Sequence, residues 1–208
     1  MRIVVGIGNP GEEYARTRHN VGYDVVDILA ARHGASCAKH KFHALVGECE
    51  IDGQTTLLLK PVTYVNESGL AVREAVDWFK MTVDQVMVVC DDVNLPLGKL
   101  RIRPKGSSGG HKGLKSLEAH LGTSDFARLR IGIGASASPD LVNHVLSRFG
   151  KDEQPVMDEA KALAADAVEL WMQKGLDACM SKFNVSPEAP KSDKSDKKED
   201  SIEQSRQV

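Results

Sequence analysis

Four polar stretches of this sequence carry side chains capable of acid–base or binding chemistry. The first, Asn9 to Asn20 (NPGEEYARTRHN), follows an apolar β-branched run and precedes an apolar run with helical spacing. Loops held between rigid elements are where binding and catalytic groups concentrate. His19 lies in this loop beside Asn20, a predicted helix N-cap, and imidazole titrates near neutral pH. We therefore predict that His19 is a catalytic base; a hydrogen-bonded residue at a helix start is the alternative.

The same stretch also has the glycine spacing of a dinucleotide-binding loop. Gly6, Gly8 and Gly11 form GxGxxG after a predicted strand. However, Pro10 and a long polar loop lie where the phosphate-binding helix should start, and the next strand does not end in the acidic residue that holds a ribose. A nicotinamide or flavin enzyme is therefore an alternative that the spacing favours only weakly.

Two further loops follow predicted strands. In Lys60 to Gly69 (KPVTYVNESG), the amide of Asn66 suits a peptide-like group or a developing oxyanion, although Asn66 or Ser68 is also a good helix N-cap. Asp91 to Asn94 (DDVN) follows the most apolar strand, and ligands of α/β folds bind at such strand ends. A carboxylate here can orient a histidine, hold a divalent metal or cap a surface turn. Because no HxxE, HxH or cysteine set accompanies it, no metal site is predicted.

The fourth stretch, Gly106 to Ser116 (GSSGGHKGLKS), is the most specific. Its small residues leave backbone N–H groups able to approach an anion closely. Arg101 and Arg103 alternate along a predicted strand just before it, and Arg128 and Arg130 do so along another. Two such pairs could clamp a phosphate; a flexible turn beside a solvated basic edge is the alternative.

Strands and helices alternate along the chain and place these loops between them. Predicted strands cover 2–7, 85–90, 99–103 and 127–133, with a hairpin over 44–60 that turns at Asp52-Gly53, and predicted helices cover 21–33, 72–80, 114–121, 140–149 and 154–174. This alternation predicts an α/β fold in which a sheet is layered with helices.

Composition limits the classes of protein to consider. The 208 residues carry a net charge of −2, so a nucleic-acid site must be a local basic patch. The cysteines, Cys37, Cys49, Cys90 and Cys179, lie far apart, which favours reduced thiols over disulfides or zinc. No signal peptide and no apolar run of roughly 20 residues is seen, so we expect a cytoplasmic, soluble protein. One domain over 1–185 and a disordered charged tail over 186–208 are predicted.

Taken together, the four stretches closely resemble bacterial-type peptidyl-tRNA hydrolase. The ordered set GxGNPGxxYxxTRHNxG, KPxTYxNxSG, DDxxLPxGxxRxR and GSSGGHxGLKS carries this resemblance, which covers residues 1 to about 183. It implies a single α/β domain with a twisted mixed sheet flanked by helices. It also implies a monomer without cofactor or metal that hydrolyses the ester between a peptide and the tRNA 3′ ribose, so that the tRNA returns to translation.

The resemblance also implies roles for individual residues. His19 would be the catalytic base and Asp91 its partner. The other implied positions are Asn9 and Asn66 on the peptidyl portion, His111 and Lys112 lining the cleft on the tRNA side, Tyr14 and Val65 as wall residues, and Arg101, Arg103 and Arg130 on the acceptor-stem phosphate. A non-catalytic RNA-binding relative would keep the arginines but lose the base, and this sequence has both.

Two positions depart from the family pattern. Val65 stands where methionine is usual. Lys112 stands where asparagine is usual, and lysine donates a hydrogen bond but cannot accept one. An ammonium pointing into the cleft would oppose protonation of His19 and His111, whereas one turned outward would contact the tRNA backbone. We therefore expect activity to be retained and binding to be altered.

Overall fold

A computed structural model describes residues 1–135 and 140–184. Within these ranges the strands are β1 Arg2–Gly6, β2 Lys39–Lys41, β3 Ala44–Ile51, β4 Gln54–Pro61, β5 Val86–Asp92, β6 Leu100–Arg103 and β7 Ala127–Gly132. They form one sheet in the order β2-β3-β4-β1-β5-β7-β6. β4, β1, β5 and β7 run parallel, whereas β2, β3 and β4 pair antiparallel and β6 pairs antiparallel with β7. The sheet is therefore mixed.

Helices cover both faces of the sheet. Their bounds are α1 Val21–Arg32, α2 Ser68–Trp78, α3 Lys112–Leu121, α4 Leu141–Leu146, α5 Gln154–Lys174 and α6 Leu176–Phe183. Strand β1 shows how the two layers arise, because successive side chains point to opposite faces. Val4 packs in the core formed with α1 and α5, whereas Ile3 and Val5 pack in the core formed with α2 and α3. The predicted α/β fold, with a mixed sheet flanked by helices, is confirmed.

The predicted elements differ from the structure where polar residues enter them. Helix α2 begins at Ser68 instead of residue 72, because Ser68 and Gly69 are buried although neither gives an apolar signal. The amide of Gly69 donates to Ser116 Oγ at 3.0 Å. Strand β2 (KHK) is short, polar and at the sheet edge, so no alternation marks it. The hairpin turn is confirmed, with Asp52 at φ 50° and Gly53 at φ 70°.

The last described residue closes the outer edge of the sheet. Asn184 follows α6, and its Oδ1 accepts the backbone N–H of Ile102 at 2.7 Å while its Nδ2 donates to the Ile102 carbonyl at 2.9 Å. The Asn184 side chain thus satisfies the outward-facing backbone groups of β6 at Ile102.

The predicted tail over 186–208 and its boundary lie outside the described residues. Within the described ranges, no helix has the length and apolarity needed to cross a bilayer.

Two glycines let α1 cross the sheet at contact distance. A Cβ atom on Gly22 would lie 2.5 Å from both Ile7 N and Val89 O, the two atoms of a backbone hydrogen bond between the chain leaving β1 and strand β5. A Cβ on Gly6 would lie 2.2 Å from the carbonyl oxygen of Gly22. Backbone atoms cannot move aside as a flexible side chain can, so this contact requires glycine at both positions. It fixes where α1, and the turn before it, sit over the sheet.

We expect Gly22→Ala to lower the free energy of unfolding by about 1–3 kcal/mol, because the added methyl group forces the helix off the sheet. Denaturant titration of both proteins measures the difference. Gly150→Ala is the matched control, since its Cβ would meet only the Glu153 carboxylate, at the ordinary contact distance of 3.4 Å, and its effect should stay within about 0.5 kcal/mol. Equal destabilisation by both substitutions would contradict the argument.

Candidate active site

A cleft of about 820 Å³ opens where the parallel strands end. Its lining comes from the loops after β1, β4 and β5, from the start of α3, from β7 and from α4. Most of the predicted site residues lie in it: Asn9, His19, Val65, Asn66, Asp91, His111, Lys112 and Arg130. The four loops are separated in sequence, but the strand order brings their ends together.

His19 lies in a 3-10 turn, Arg18–Asn20, immediately before α1. Its Nδ1 is 2.7 Å from Oδ1 of Asp91, at the end of β5. Because a carboxylate only accepts hydrogen bonds, Nδ1 carries the proton and Nε2 keeps its lone pair. Among the described residues Nε2 has no hydrogen-bond partner, so it is available to a group in the cleft. This is the arrangement of a base with its orienting acid.

The carboxylate of Asp91 is buried, and both imidazoles bind the same oxygen. His111 Nε2 lies 3.0 Å from the Oδ1 that His19 contacts, and the ring centroids are 5.2 Å apart. Burial alone would raise the pKa of Asp91, but the contacts with His111 and His19 outweigh it and hold the pKa well below its usual range. Asp91 is therefore ionised at every pH at which a histidine can act as a base.

His111 is the N-cap of α3, which settles its tautomer. Its Nδ1 accepts the backbone N–H groups of Gly113 at 3.1 Å and Leu114 at 3.3 Å. A ring nitrogen that accepts hydrogen bonds carries no proton, so the proton is on Nε2 and is donated to Asp91. His111 thus acts as a neutral donor held by the helix. Histidine is an unusual cap, and nothing in the sequence pattern points to this function.

Asn20 ties together the two ends of the loop between β1 and α1 instead of capping α1. Its Oδ1 accepts the N–H of Asn9 at 2.9 Å, and its Nδ2 donates to the Asn9 carbonyl at 2.9 Å. The prediction of Asn20 as a side-chain N-cap is therefore wrong, because its amide is used by a backbone partner across the loop. The Oδ1 of Asn9 accepts the N–H of Val65 at 3.1 Å, which leaves its Nδ2 as a donor at the cleft.

The remaining predicted residues differ in their access to the cleft. Asn66 and Lys112 are exposed on its lining, and Val65 is buried in its wall. Tyr14 lies in a separate 3-10 turn, Glu12–Tyr14, outside the lining of this cleft, and the wall role implied for it stays a prediction. Three exposed apolar side chains for which no sequence pattern predicts a role also line the cleft: Tyr64, Leu141 and Val142.

The two arginine pairs have different surroundings. Arg101 and Arg103 on β6 are exposed and, among the described residues, make no ion pair. Arg128 is fully buried, and its guanidinium donates to the carbonyls of Gly106, Ser107, Ser124 and Phe126. The predicted phosphate clamp by both pairs is therefore wrong for Arg128, which instead anchors the glycine-rich loop.

Arg130 also supports the glycine-rich loop while lining the cleft. Its Nη1 donates to Asp92 Oδ2 at 3.2 Å, and its Nη2 donates to the carbonyls of Ser107 at 2.8 Å and Ser108 at 3.1 Å. Asp92 follows Asp91 on β5, so the same strand end holds the histidines and this arginine. The loop that leads to His111 is thereby fixed from β5 and β7.

Neither a metal ion nor a dinucleotide is favoured by this geometry. The ligand atoms of His19, Asp91 and His111 lie within 4.8 Å of one another. However, the two imidazole distances of 2.7 and 3.0 Å are those of N–H···O hydrogen bonds, with a proton between nitrogen and oxygen.

The GxGxxG spacing does not open a helix, because two 3-10 turns separate β1 from α1, and Gly6 makes the close contact with Gly22. The dinucleotide alternative is thus not supported.

Comparison with known proteins places these features in one family. The family model for peptidyl-tRNA hydrolase matches residues 3–194. The chain is 47% identical over 185 residues to the peptidyl-tRNA hydrolase of Shouchella clausii, covering 88% of this chain and 100% of that protein. It is 49% identical over 185 residues to the peptidyl-tRNA hydrolase of Synechocystis, and the alignment covers 88% of this chain and 95% of that protein. The crystal structure of the peptidyl-tRNA hydrolase from Acinetobacter baumannii superposes on this chain with a TM-score of 0.84 at 35% identity. The superposition covers 88% of this chain and 94% of that one. The chain belongs to the peptidyl-tRNA hydrolase family.

Proposed function

We propose that this protein hydrolyses the ester bond between the peptide and the 3′ ribose of peptidyl-tRNA, with His19 as the general base. The observation that carries the proposal is the 2.7 Å contact between His19 Nδ1 and the buried carboxylate of Asp91. This contact supports the proposal, because a proton on Nδ1 leaves the lone pair of Nε2 to act as the base. Family membership identifies the substrate class.

The first step is activation of water. Nε2 of His19 takes a proton from a water molecule while the water oxygen forms a bond to the ester carbonyl carbon. The imidazolium that results is stabilised by Asp91, which stays ionised and does not take the proton. His111 donates to the same carboxylate oxygen and keeps it oriented. No metal ion is needed for this step.

The second step is collapse of the tetrahedral intermediate. The Nδ2 of Asn9 is an oriented donor, because its Oδ1 is occupied by the Val65 N–H, and we propose that it donates to the oxyanion. Asn66, exposed on the same lining, binds the peptide backbone. The bond between the carbonyl carbon and the ribose 3′ oxygen then breaks, and the proton on His19 Nε2 passes to that oxygen. The products are a peptide with a free carboxylate and an intact tRNA.

A covalent route through cysteine is not favoured. Cys90 precedes Asp91 in the chain but is fully buried, and burial raises its pKa well above the usual range. Its thiol therefore stays protonated within the core and does not reach the cleft. A non-catalytic RNA-binding protein on the same fold is also disfavoured, since the His19–Asp91 pair would have no role in it.

We further propose that Arg101, Arg103 and Arg130 bind the phosphates of the acceptor stem. Arg101 lies opposite Arg130 in the β6–β7 register, and Arg103 follows on the same face of β6. Arg101 and Arg103 are exposed and supply positive charge to the phosphates. The guanidinium of Arg130 already donates to three acceptors, and it adds its charge at the edge of the cleft. As part of the same proposal, the enzyme acts as a cytoplasmic monomer that recovers tRNA for translation.

His19→Ala should lower the rate of hydrolysis of a purified peptidyl-tRNA by about 10²-fold or more, because the base is lost. Binding of tRNA, measured on both proteins, should be retained, since the arginines are untouched. Turnover by wild type that survives the substitution would rule out His19 as the base. Binding without turnover in the wild-type protein would favour the RNA-binding alternative.

Arg101→Gln should weaken tRNA binding and reduce the slope of log affinity against log salt concentration by about 1, because one fewer counterion is released. Arg73→Gln is the matched control: Arg73 is also exposed, but it pairs with Asp77 on α2. An unchanged slope for Arg101→Gln, or an equal change in both variants, would remove Arg101 from the tRNA interface.

Lys112→Asn should keep kcat and raise KM for peptidyl-tRNA by about threefold, as expected for an exposed charge contact worth less than about 1 kcal/mol. Lys112 lines the cleft and has no ion pair among the described residues. Lys115→Asn serves as the control, since Lys115 is exposed on the same helix outside the cleft lining. Kinetics identical to wild type would show that Lys112 does not contact the substrate.

A further inference from the structure

Arg18, the residue before His19, is almost fully buried and uses its guanidinium on a different part of the chain. Nη1 donates to the Ile133 carbonyl at 2.9 Å, just after β7. Nε donates to Ser147 Oγ at 3.2 Å, and Nη2 donates to Glu153 Oε2 at 2.6 Å. The guanidinium carbon also lies 4.7 Å from the ring centroid of Phe149. The side chain is thus held on several sides at once.

Backbone contacts join the same two segments. The N–H of Arg18 donates to the Ser147 carbonyl at 2.9 Å, and Thr17 forms an antiparallel bridge with Arg148. Residues 147–153 connect α4 to α5, and α4 carries apolar side chains that line the cleft, among them Leu141 and Val142. The 3-10 turn that carries His19 is therefore attached to the segment that follows α4, a helix that lines the cleft.

The ion pair of Arg18 with Glu153 has a defined geometry, because both side chains make further hydrogen bonds. Glu153 Oε2 also accepts the N–H of Gly150 at 2.7 Å, so the carboxylate is held by its own turn. The hydrogen bond from Arg18 lowers the pKa of Glu153, which keeps the acceptor charged. A planar guanidinium with several fixed acceptors resists rotation more than a single contact does. The backbone of His19 inherits this restraint because it is the next residue.

We propose that Arg18 is a positioning residue for the reaction: through Glu153, Ser147 and Ile133 it sets where the His19 imidazole lies between Asp91 and the cleft wall. The His19–Asp91 bond by itself fixes one ring nitrogen, and the ring can still swing about it. Arg18 fixes the backbone at the other end of the side chain. Displacement of a catalytic group by about 1 Å can cost about 10²-fold in rate, so such a restraint has a kinetic effect. This inference rests on the proposed role of His19.

The test compares substitutions at the acceptors, which leave Arg18 and His19 in place. Glu153→Ala removes the acceptor of Nη2 and should lower kcat about tenfold while KM changes less than about twofold, since no substrate contact is lost. Glu153→Gln keeps an oxygen acceptor and should recover kcat to within about threefold of wild type. Asp24→Ala is the matched control, because Asp24 forms a partly buried ion pair with Lys161 between α1 and α5, away from the cleft.

A second measurement reads the position of His19 without turnover. In a ¹⁵N-labelled protein, the hydrogen-bonded Nδ1–H of His19, assigned with His19→Gln, should broaden or shift in Glu153→Ala and stay unchanged in Asp24→Ala. If wild type does not hydrolyse peptidyl-tRNA, the proposed function fails, yet this signal still tests Arg18. If Glu153→Ala does not fold, Ser147→Ala takes its place; it removes the Nε acceptor together with the hydrogen bond from Ser147 Oγ to the His144 carbonyl.

The proposal is overturned by one pattern of results. In that pattern, Glu153→Ala lowers the melting temperature as much as Asp24→Ala does, but kcat and the His19 signal are both unchanged. That outcome would leave Arg18 with a role in stability alone. A fall in kcat that Glu153→Gln recovers, together with an altered His19 signal, supports positioning.

Discussion

The active site depends on one carboxylate oxygen that two imidazoles share. Asp91 lies at the end of a fully buried strand, where an unpaired charge would be very costly. His19 and His111 both donate to its Oδ1, and each donation has a different origin. The N–H groups at the start of α3 occupy the other nitrogen of His111 and so hold the ring in the tautomer that donates from Nε2. The carboxylate determines which nitrogen of His19 is free, and the start of α3, by holding His111 on the same oxygen, helps to hold that carboxylate in place.

The neighbourhood of this oxygen is made rigid from several directions. Asn20 holds Asn9 by two hydrogen bonds, and Asn9 in turn holds the backbone of Val65. Arg130 and Arg128 hold the carbonyls of the glycine-rich loop. These are polar side chains used on backbone groups in loops, where no strand or helix can satisfy them. Preorganisation of this kind lets a modest set of groups act on an ester that is already activated.

Much of the fold could be predicted from sequence because its signals are local. Apolar strands, the Asp52-Gly53 turn and the amphipathic α5 each follow from a few neighbouring residues. The identities of His19 and Asp91 as candidates follow from loops at strand ends. The functions of Asn20 and Arg128 could not be predicted, because each depends on a partner that is distant in sequence. His111 caps α3 through the neighbouring N–H groups, but histidine is not a residue that usually marks a helix start. A polar residue near a helix start has the same pattern whether it caps that helix or bonds across the site.

The side chain of Asn184 on strand β6 affects how this protein meets other molecules. An edge strand offers its unpaired N–H and C=O groups to any extended chain that approaches it. At Ile102 these groups are already occupied by the Asn184 amide, so a strand from a second copy cannot add there without displacing it. The neighbouring Arg101 and Arg103 side chains are left exposed. At this residue the edge is thus closed to β-pairing, while the charged side chains of Arg101 and Arg103 stay accessible beside it.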